Sequence, residues 1–140
     1  MSNRVTELFL FDIFVAILKI ERVAGGFKNG ENLQYNYVSW DSVIREFEII
    51  GEATNNLIKK EILDNESQVV VDFRNLLIHN YFGIEQEEVW DVIQNDLKDF
   101  KMIVKKHINN LNKKIKEELR ESLIEENKHL DFIIKELKLL

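Results

Sequence analysis

One short segment gathers most of the side chains in this 140-residue sequence that could carry out chemistry. Arg74, Asn75, His79, Asn80 and Tyr81 fall within eight positions, among apolar residues that would anchor them to a protein core. A histidine exchanges protons near neutral pH, and an arginine keeps a positive charge that can hold an anionic group. The segment is therefore a candidate site for acid–base chemistry. The structural alternative is an arginine paired with an acidic side chain and a histidine that caps a helix end.

The spacing within this segment separates its arginine from its histidine. On a helix of 3.6 residues per turn, Arg74 and Tyr81 lie about 20° apart on one face, whereas Asn75 and His79 share another face. Arg74 and His79 themselves lie about 140° apart. Either the helix ends before His79, or two copies of the segment meet at a symmetric interface.

The rest of the sequence lacks the patterns of other common active sites. It has no cysteine, which excludes disulfides, cysteine-bound metals and thiol nucleophiles, and it has no glycine-rich phosphate loop. His107 follows two lysines and His129 lies among lysines and glutamates, so both are expected to be solvated surface histidines. We therefore expect neither a metal site nor a cofactor.

The elements that must position the segment are expected to be helices. Proline is absent and there are only 5 glycines, which argues against the many turns of an all-β fold. The longest apolar stretch, residues 8–18, is interrupted by Asp12 and lacks the features of a signal peptide. We expect a soluble, cytoplasmic protein with no membrane segment.

Apolar residues at helical spacing predict an all-α, up-and-down bundle of four to five helices. Asn36 or Ser39 is the expected N-cap of the second helix, and Gly83 is expected to stop the third. Residues 1–107 would form the bundle, and residues 108–140 would extend the same domain as a fifth member or as an exposed arm. The expected helices span about residues 5–23, 36–60, 68–81, 85–108 and 112–140.

A basic stretch stands out against the net charge of −6. Residues 98–116 carry seven lysines and one acidic residue, Asp99. Such a stretch could contact phosphates even on an acidic protein. The alternative is an ordinary solvated helix face.

The motif Arg74-x4-His79-x-Tyr81 resembles the R-x4-H-x-Y signature of the HepT-like branch of the HEPN superfamily. Residues 43–53 resemble that family's IRxxEIIGEA helix, and residues 73–84 resemble its RNxLIHxYFGV block. The resemblance continues through Val89-Trp90 and Asn95-Asp96-Leu97.

These blocks cover roughly residues 5–105, in the order and spacing of the family. Two features depart from its pattern. Gln68-Val69-Val70-Val71 stands where the family commonly has a Pro-Trp element, and the last thirty or so residues have no counterpart in its compact members.

The resemblance implies a metal-independent endoribonuclease that is the toxin of a type VII-like toxin–antitoxin pair. RNA supplies its own nucleophile, the 2′-hydroxyl, so Arg74 and His79 would be the catalytic residues, with the arginine on the phosphate and the histidine moving protons. The implied partner is a minimal nucleotidyltransferase antitoxin that adenylylates Tyr81, which would fill the phosphate pocket with bulk and negative charge.

The resemblance also implies a homodimer, in which two motif helices face one cleft. Asn75, Asn80 and Glu52 would support the site. Glu48 and Glu52 share a helix face and would pair with Arg74 or Arg45, unless these carboxylates form only a solvated face. The candidate RNA contacts are Lys105, Lys106, Lys113 and Lys114. The alternative function is a non-catalytic dimeric helical module that binds or regulates a nucleotidyltransferase.

Overall fold

The computed structural model describes residues 3–79 and 83–140, apart from the side chains of residues 3–5. All regular structure in this part of the chain is helical, which confirms the all-α prediction. None of its helices is both long enough and apolar enough to cross a membrane. The helices are α1 (Asn3–Ala24), α2 (Gly30–Tyr35), α3 (Tyr37–Lys59), α4 (Gln68–His79), α5 (Gln86–Asp91), α6 (Leu97–Asn109), α7 (Lys113–Glu126) and α8 (Asp131–Lys138).

Helix α1 is the centre of the fold. It packs against α3, α6, α7 and α8, so most of its circumference is covered by other helices. This explains why its sequence is apolar on nearly every side. It ends at Ala24, before the pair Gly25-Gly26, as the sequence predicted. Its buried side chains are Leu10, Phe11, Ile13, Phe14, Val15, Ala16, Ile17, Leu18, Ile20 and Ala24.

Helices α3 and α4 form an antiparallel pair that presents the motif. The Asn36 side chain caps α3 by accepting a hydrogen bond from the Ser39 amide at 3.1 Å, which confirms one of the two expected caps. The rings of Phe47 and Phe73 meet edge to face between the helices, with centroids 5.2 Å apart. A one-turn 3₁₀ helix at Asn65–Ser67 leads into α4.

Helix α2 was missing from the sequence-based prediction, which placed a loop there. Asn29 caps this six-residue helix through the Asn32 amide, at 2.8 Å. The buried Gly30 lies so close to α5 that an added Cβ would be 2.4 Å from the Gln86 carbonyl oxygen. The Glu87 carboxylate accepts a hydrogen bond from the Glu31 amide at 3.1 Å. A helix this short is stabilised by such contacts rather than by its own sequence.

The chain after residue 85 contains two interruptions. A π-helical turn, Val92–Asp96, joins α5 to α6. The predicted break near residues 109–112 is confirmed, because α6 ends at Asn109 and α7 begins at Lys113.

The prediction of one final helix was wrong, since the chain turns again between α7 and α8. Asn127 is buried at this turn, and its side-chain amide donates to the Leu123 carbonyl at 2.9 Å. Both helices pack on α1, so they are members of the bundle rather than an exposed arm. Lys116 also ties α7 to the Leu140 carbonyl, at 2.9 Å.

Candidate active site

Helix α4 carries the described part of the motif and orients its side chains in different directions. It continues through His79, so the alternative in which the helix ends before His79 does not hold. Arg74 is half-buried on the side that faces α3, whereas His79 is exposed at the end of the helix. Asn75 is half-buried between these two directions. Within one chain, the guanidinium and the imidazole therefore lie on different faces of α4.

Tyr81 and Asn80, expected as the modified residue and as a supporting residue, lie outside the described residues.

Arg74 packs against the backbone of α3 at Gly51. A Cβ on this glycine would lie 2.3 Å from the Arg74 Cβ and 3.2 Å from its Nε. The Nε atom is buried, and it has no hydrogen-bond partner among the described residues. Sequence reasoning noted Gly51 only as part of a motif block, since a glycine inside a helix does not reveal which side chain it faces.

The expected pairing of Arg74 with an acidic side chain is not among the contacts of the described residues. Glu48 and Glu52 are both exposed on α3, and neither forms a salt bridge with Arg74. Arg74 therefore keeps a charge that no described carboxylate neutralises. A guanidinium in this state can bind an anionic ligand with its outer nitrogens.

A cavity of about 410 Å³ adjoins the motif end of α4. Its walls come from α2, α3, α4 and the loop before α5, and they combine apolar and charged side chains. Leu77, which lines the cavity, is two positions before His79 in the sequence. The half-buried Trp40 contributes an aromatic surface to the same cavity. The remaining lining residues are Gln34, Asp41, Ile44, Arg45, Glu48 and Ile84.

The exposed side of α4 includes large apolar side chains as well as polar ones. Val69 and Leu76 are seven residues apart and share this side with His79, and Val69 is 67% exposed. On α6, Met102 and Ile103 are also exposed, and Ile103 lines a second cavity of about 360 Å³ together with Val69. Exposed apolar residues grouped in this way are typical of a protein contact surface.

Two lysines of the predicted track, Lys105 and Lys106, lie toward the other end of α4. Ile103 is beside Val69 and Val70 at the start of α4, and Lys105 and Lys106 follow within the next turn of α6. From Val70 to His79, α4 extends about 14 Å.

The lysines of this stretch differ in their surroundings. Lys101 forms a salt bridge with Glu21 at 2.8 Å, and the Lys116 side chain donates a hydrogen bond to the Leu140 carbonyl. These two lysines therefore already have partners within the fold. The exposed members of the predicted track are Lys106, Lys113 and Lys114, whereas Lys105 is half-buried.

Within residues 3–79 and 83–140, no group of three or more histidine or acidic side chains is arranged to hold a metal ion. His107 is half-buried near the end of α6, and His129 is exposed between α7 and α8.

Comparison with known proteins identifies one family. The profile of the family described as "Ribonuclease HepT-like" matches residues 13–118. The protein "Putative RNase MJ1380" of Methanocaldococcus jannaschii is 31% identical over 104 residues, which cover 72% of this chain and 94% of the relative. "Putative RNase MJ0127" of the same organism is 32% identical over 113 residues, covering 75% and 92%.

A third relative carries the family's own name. "Probable ribonuclease HepT" of Thermococcus cleftensis is 33% identical over 63 residues, which cover 43% of this chain and 57% of the relative. No solved structure matches the chain.

Proposed function

This chain belongs to the HepT-like ribonuclease family, and from that premise we propose that it is an endoribonuclease that cleaves RNA through Arg74 and His79. The observation that carries the proposal is the state of Arg74, which has a buried Nε and no neutralising carboxylate among the described residues, on the same helix as the exposed His79. An anchored cation and an accessible imidazole can together promote cleavage of a phosphodiester by its own 2′-hydroxyl, because one offsets charge on the phosphate and the other moves protons.

In the proposed reaction, the 2′-oxygen of one ribose attacks the adjacent phosphorus, and the bond from phosphorus to the 5′-oxygen of the next nucleotide breaks. His79 takes the proton from the 2′-hydroxyl, and the resulting imidazolium gives a proton to the departing 5′-oxygen, which returns the imidazole to its neutral form. Arg74 holds the phosphate and offsets the charge that builds up on its oxygens. The products are a 2′,3′-cyclic phosphate and a 5′-hydroxyl, and no step assigns a role to a metal ion.

The proposed active form is a homodimer. Arg74 and His79 face different sides of one helix, so a single chain does not bring them together by helix geometry alone. Pairing two α4 helices across a two-fold axis would place both residue types in one cleft. The exposed Val69, Leu76 and Met102 supply apolar surface for such a contact.

The proposal includes a path for RNA and a means of control. Lys106, Lys113 and Lys114 are exposed and, with Lys105, could contact phosphates on the way to the cleft.

We assign the chain to a toxin–antitoxin pair, in which a nucleotidyltransferase partner transfers AMP from ATP to the Tyr81 hydroxyl. The added phosphate would then compete with RNA for Arg74.

The central test is cleavage of RNA by the purified protein in the presence of EDTA. We expect cleavage by the unchanged chain and its loss in His79→Ala, because the alanine removes the group that moves protons. His129→Ala is the matched control, since His129 is also exposed but lies away from α4, and it should keep full activity. Circular dichroism should show that both variants remain helical. Full cleavage by a folded His79→Ala protein would refute the assignment.

A further inference from the structure

Helices α3 and α4 approach each other closely at Gly51, because this residue has no side chain. Gly51 is buried in the middle of α3, and the Cβ and Cγ of Arg74 occupy the space where its side chain would be. An added Cβ would lie 2.3 Å from the Arg74 Cβ and 2.5 Å from its Cγ, distances at which one of the helices or the arginine must move. A glycine also costs a helix stability relative to alanine, so this position gives up local stability for the close approach.

We infer that Gly51 is a positioning residue for Arg74, which lays the stem of the arginine against α3 and directs its guanidinium outward; this inference rests on the function proposed above. Packing against Gly51 fixes the aliphatic stem of Arg74. No described acidic side chain forms a salt bridge with its guanidinium. A carboxylate would orient the arginine but would also neutralise it. Packing on Gly51 orients the same group and leaves its charge for a phosphate.

The buried Nε of Arg74 provides a readout of this position that does not depend on activity. It is shielded from water although no described residue accepts a hydrogen bond from it, so its proton should exchange slowly with solvent. Arg22 and Arg45 are exposed and supply fast-exchanging references in the same spectrum. In Gly51→Ala, the added methyl group should displace the arginine, and the Arg74 Nε–H signal should shift and exchange at the rate of Arg45.

The catalytic consequence should appear mainly in kcat. A displaced guanidinium can still attract RNA, but it no longer meets the charge that develops at the phosphate, so we expect kcat to fall by roughly 10- to 100-fold with KM nearly unchanged. Gly26→Ala is the matched control. Gly26 is exposed, and its added Cβ would meet only the Val23 carbonyl oxygen, at an ordinary 3.6 Å.

A double-variant cycle keeps the test decisive if Gly51→Ala folds poorly. Gly51→Ala should lower the melting temperature in the natural background and should no longer do so when Arg74→Gly has removed the opposing side chain, because alanine then only improves the helix. An equal effect of Gly51→Ala in both backgrounds would overturn the inference, as would unchanged Arg74 Nε–H exchange in a folded Gly51→Ala protein. Full activity of Arg74→Ala would instead refute the proposed function, while the exchange measurement would still decide the role of Gly51.

Discussion

Tyr81 is the residue at which the proposed control would act, two positions after His79 in the motif. When the chain is incubated with its cognate nucleotidyltransferase, ATP and magnesium, we expect its mass to rise by one or more AMP groups as pyrophosphate is released. The modified protein should lose RNA cleavage, because the new phosphate carries negative charge into the site of an anionic substrate. Magnesium belongs here to the chemistry of the partner.

The variant Tyr81→Phe should accept no AMP and should remain active after the same incubation. Tyr35→Phe and Tyr37→Phe are suitable controls, because both tyrosines are 74% exposed and available for unspecific modification. Tandem mass spectrometry locates the modified residue. AMP found on Tyr35 or Tyr37, or on no tyrosine, would contradict the proposed control.

At the scale of helices, the contact between α1 and α7 contains an acidic side chain in an unfavourable place. Burial and, to a smaller extent, the negative charge of Glu126 together raise the pKa of the Asp12 carboxyl from 3.8 to about 6. A carboxyl with a raised pKa binds its proton more readily in the folded than in the unfolded chain. The free energy of unfolding therefore carries no penalty from Asp12 below about pH 4, falls as the pH rises from 4 to 6, and carries the full cost of the buried charge above pH 6.

Asp12→Asn should consequently raise the free energy of unfolding at pH 7.5, on the order of 1–2 kcal/mol, since water still reaches part of the carboxyl and screens the cost. The gain should shrink as the pH is lowered from 6 toward 4. Thermal denaturation at pH 7.5 and pH 4.5 measures the difference. Glu121→Gln, an exposed carboxylate on α7, should change neither value appreciably. A pH dependence of stability that is the same in Asp12→Asn and in the natural chain would count against the buried carboxyl.

The helix boundaries that the sequence predicts are those marked by local signals. Asn36 caps α3 with its own side chain, and Gly25 and Gly26 follow the end of α1, so a few neighbouring residues determine each boundary. Helix α2 and the turn at Asn127 could not be predicted in this way. The first depends on the contact between Gly30 and Gln86, and the second on a side chain whose burial follows from packing on α1.

The same distinction applies to the candidate site. The spacing of Arg74 and His79 was enough to predict that they face different sides of one helix, because helix geometry is local. The role of Gly51 was not predictable from spacing, since it depends on how α3 and α4 align. The missing salt bridge to Glu48 or Glu52 likewise depends on side-chain geometry that a shared helix face does not specify.

At the scale of the whole molecule, the separation of Arg74 from His79 offers a direct test of the proposed homodimer. If each active site takes its arginine from one subunit and its histidine from the other, two inactive variants can restore one another. A dimer that pairs an Arg74→Ala subunit with a His79→Ala subunit contains one complete site, formed by the natural arginine of the second and the natural histidine of the first. The other site of that dimer lacks both groups.

Mixing equal amounts of the two inactive variants, under conditions that allow subunits to exchange, should therefore recover about a quarter of the natural activity, because half of the dimers are mixed and each has one of two sites intact. RNA cleavage before and after exchange measures the recovery. The double variant Arg74→Ala/His79→Ala mixed with either single variant provides the control and should recover none. Mixed dimers that form, as native mass spectrometry would reveal, but remain inactive would show that each site uses the arginine and histidine of a single chain, and α4 would then have to unwind near His79 for the two to meet.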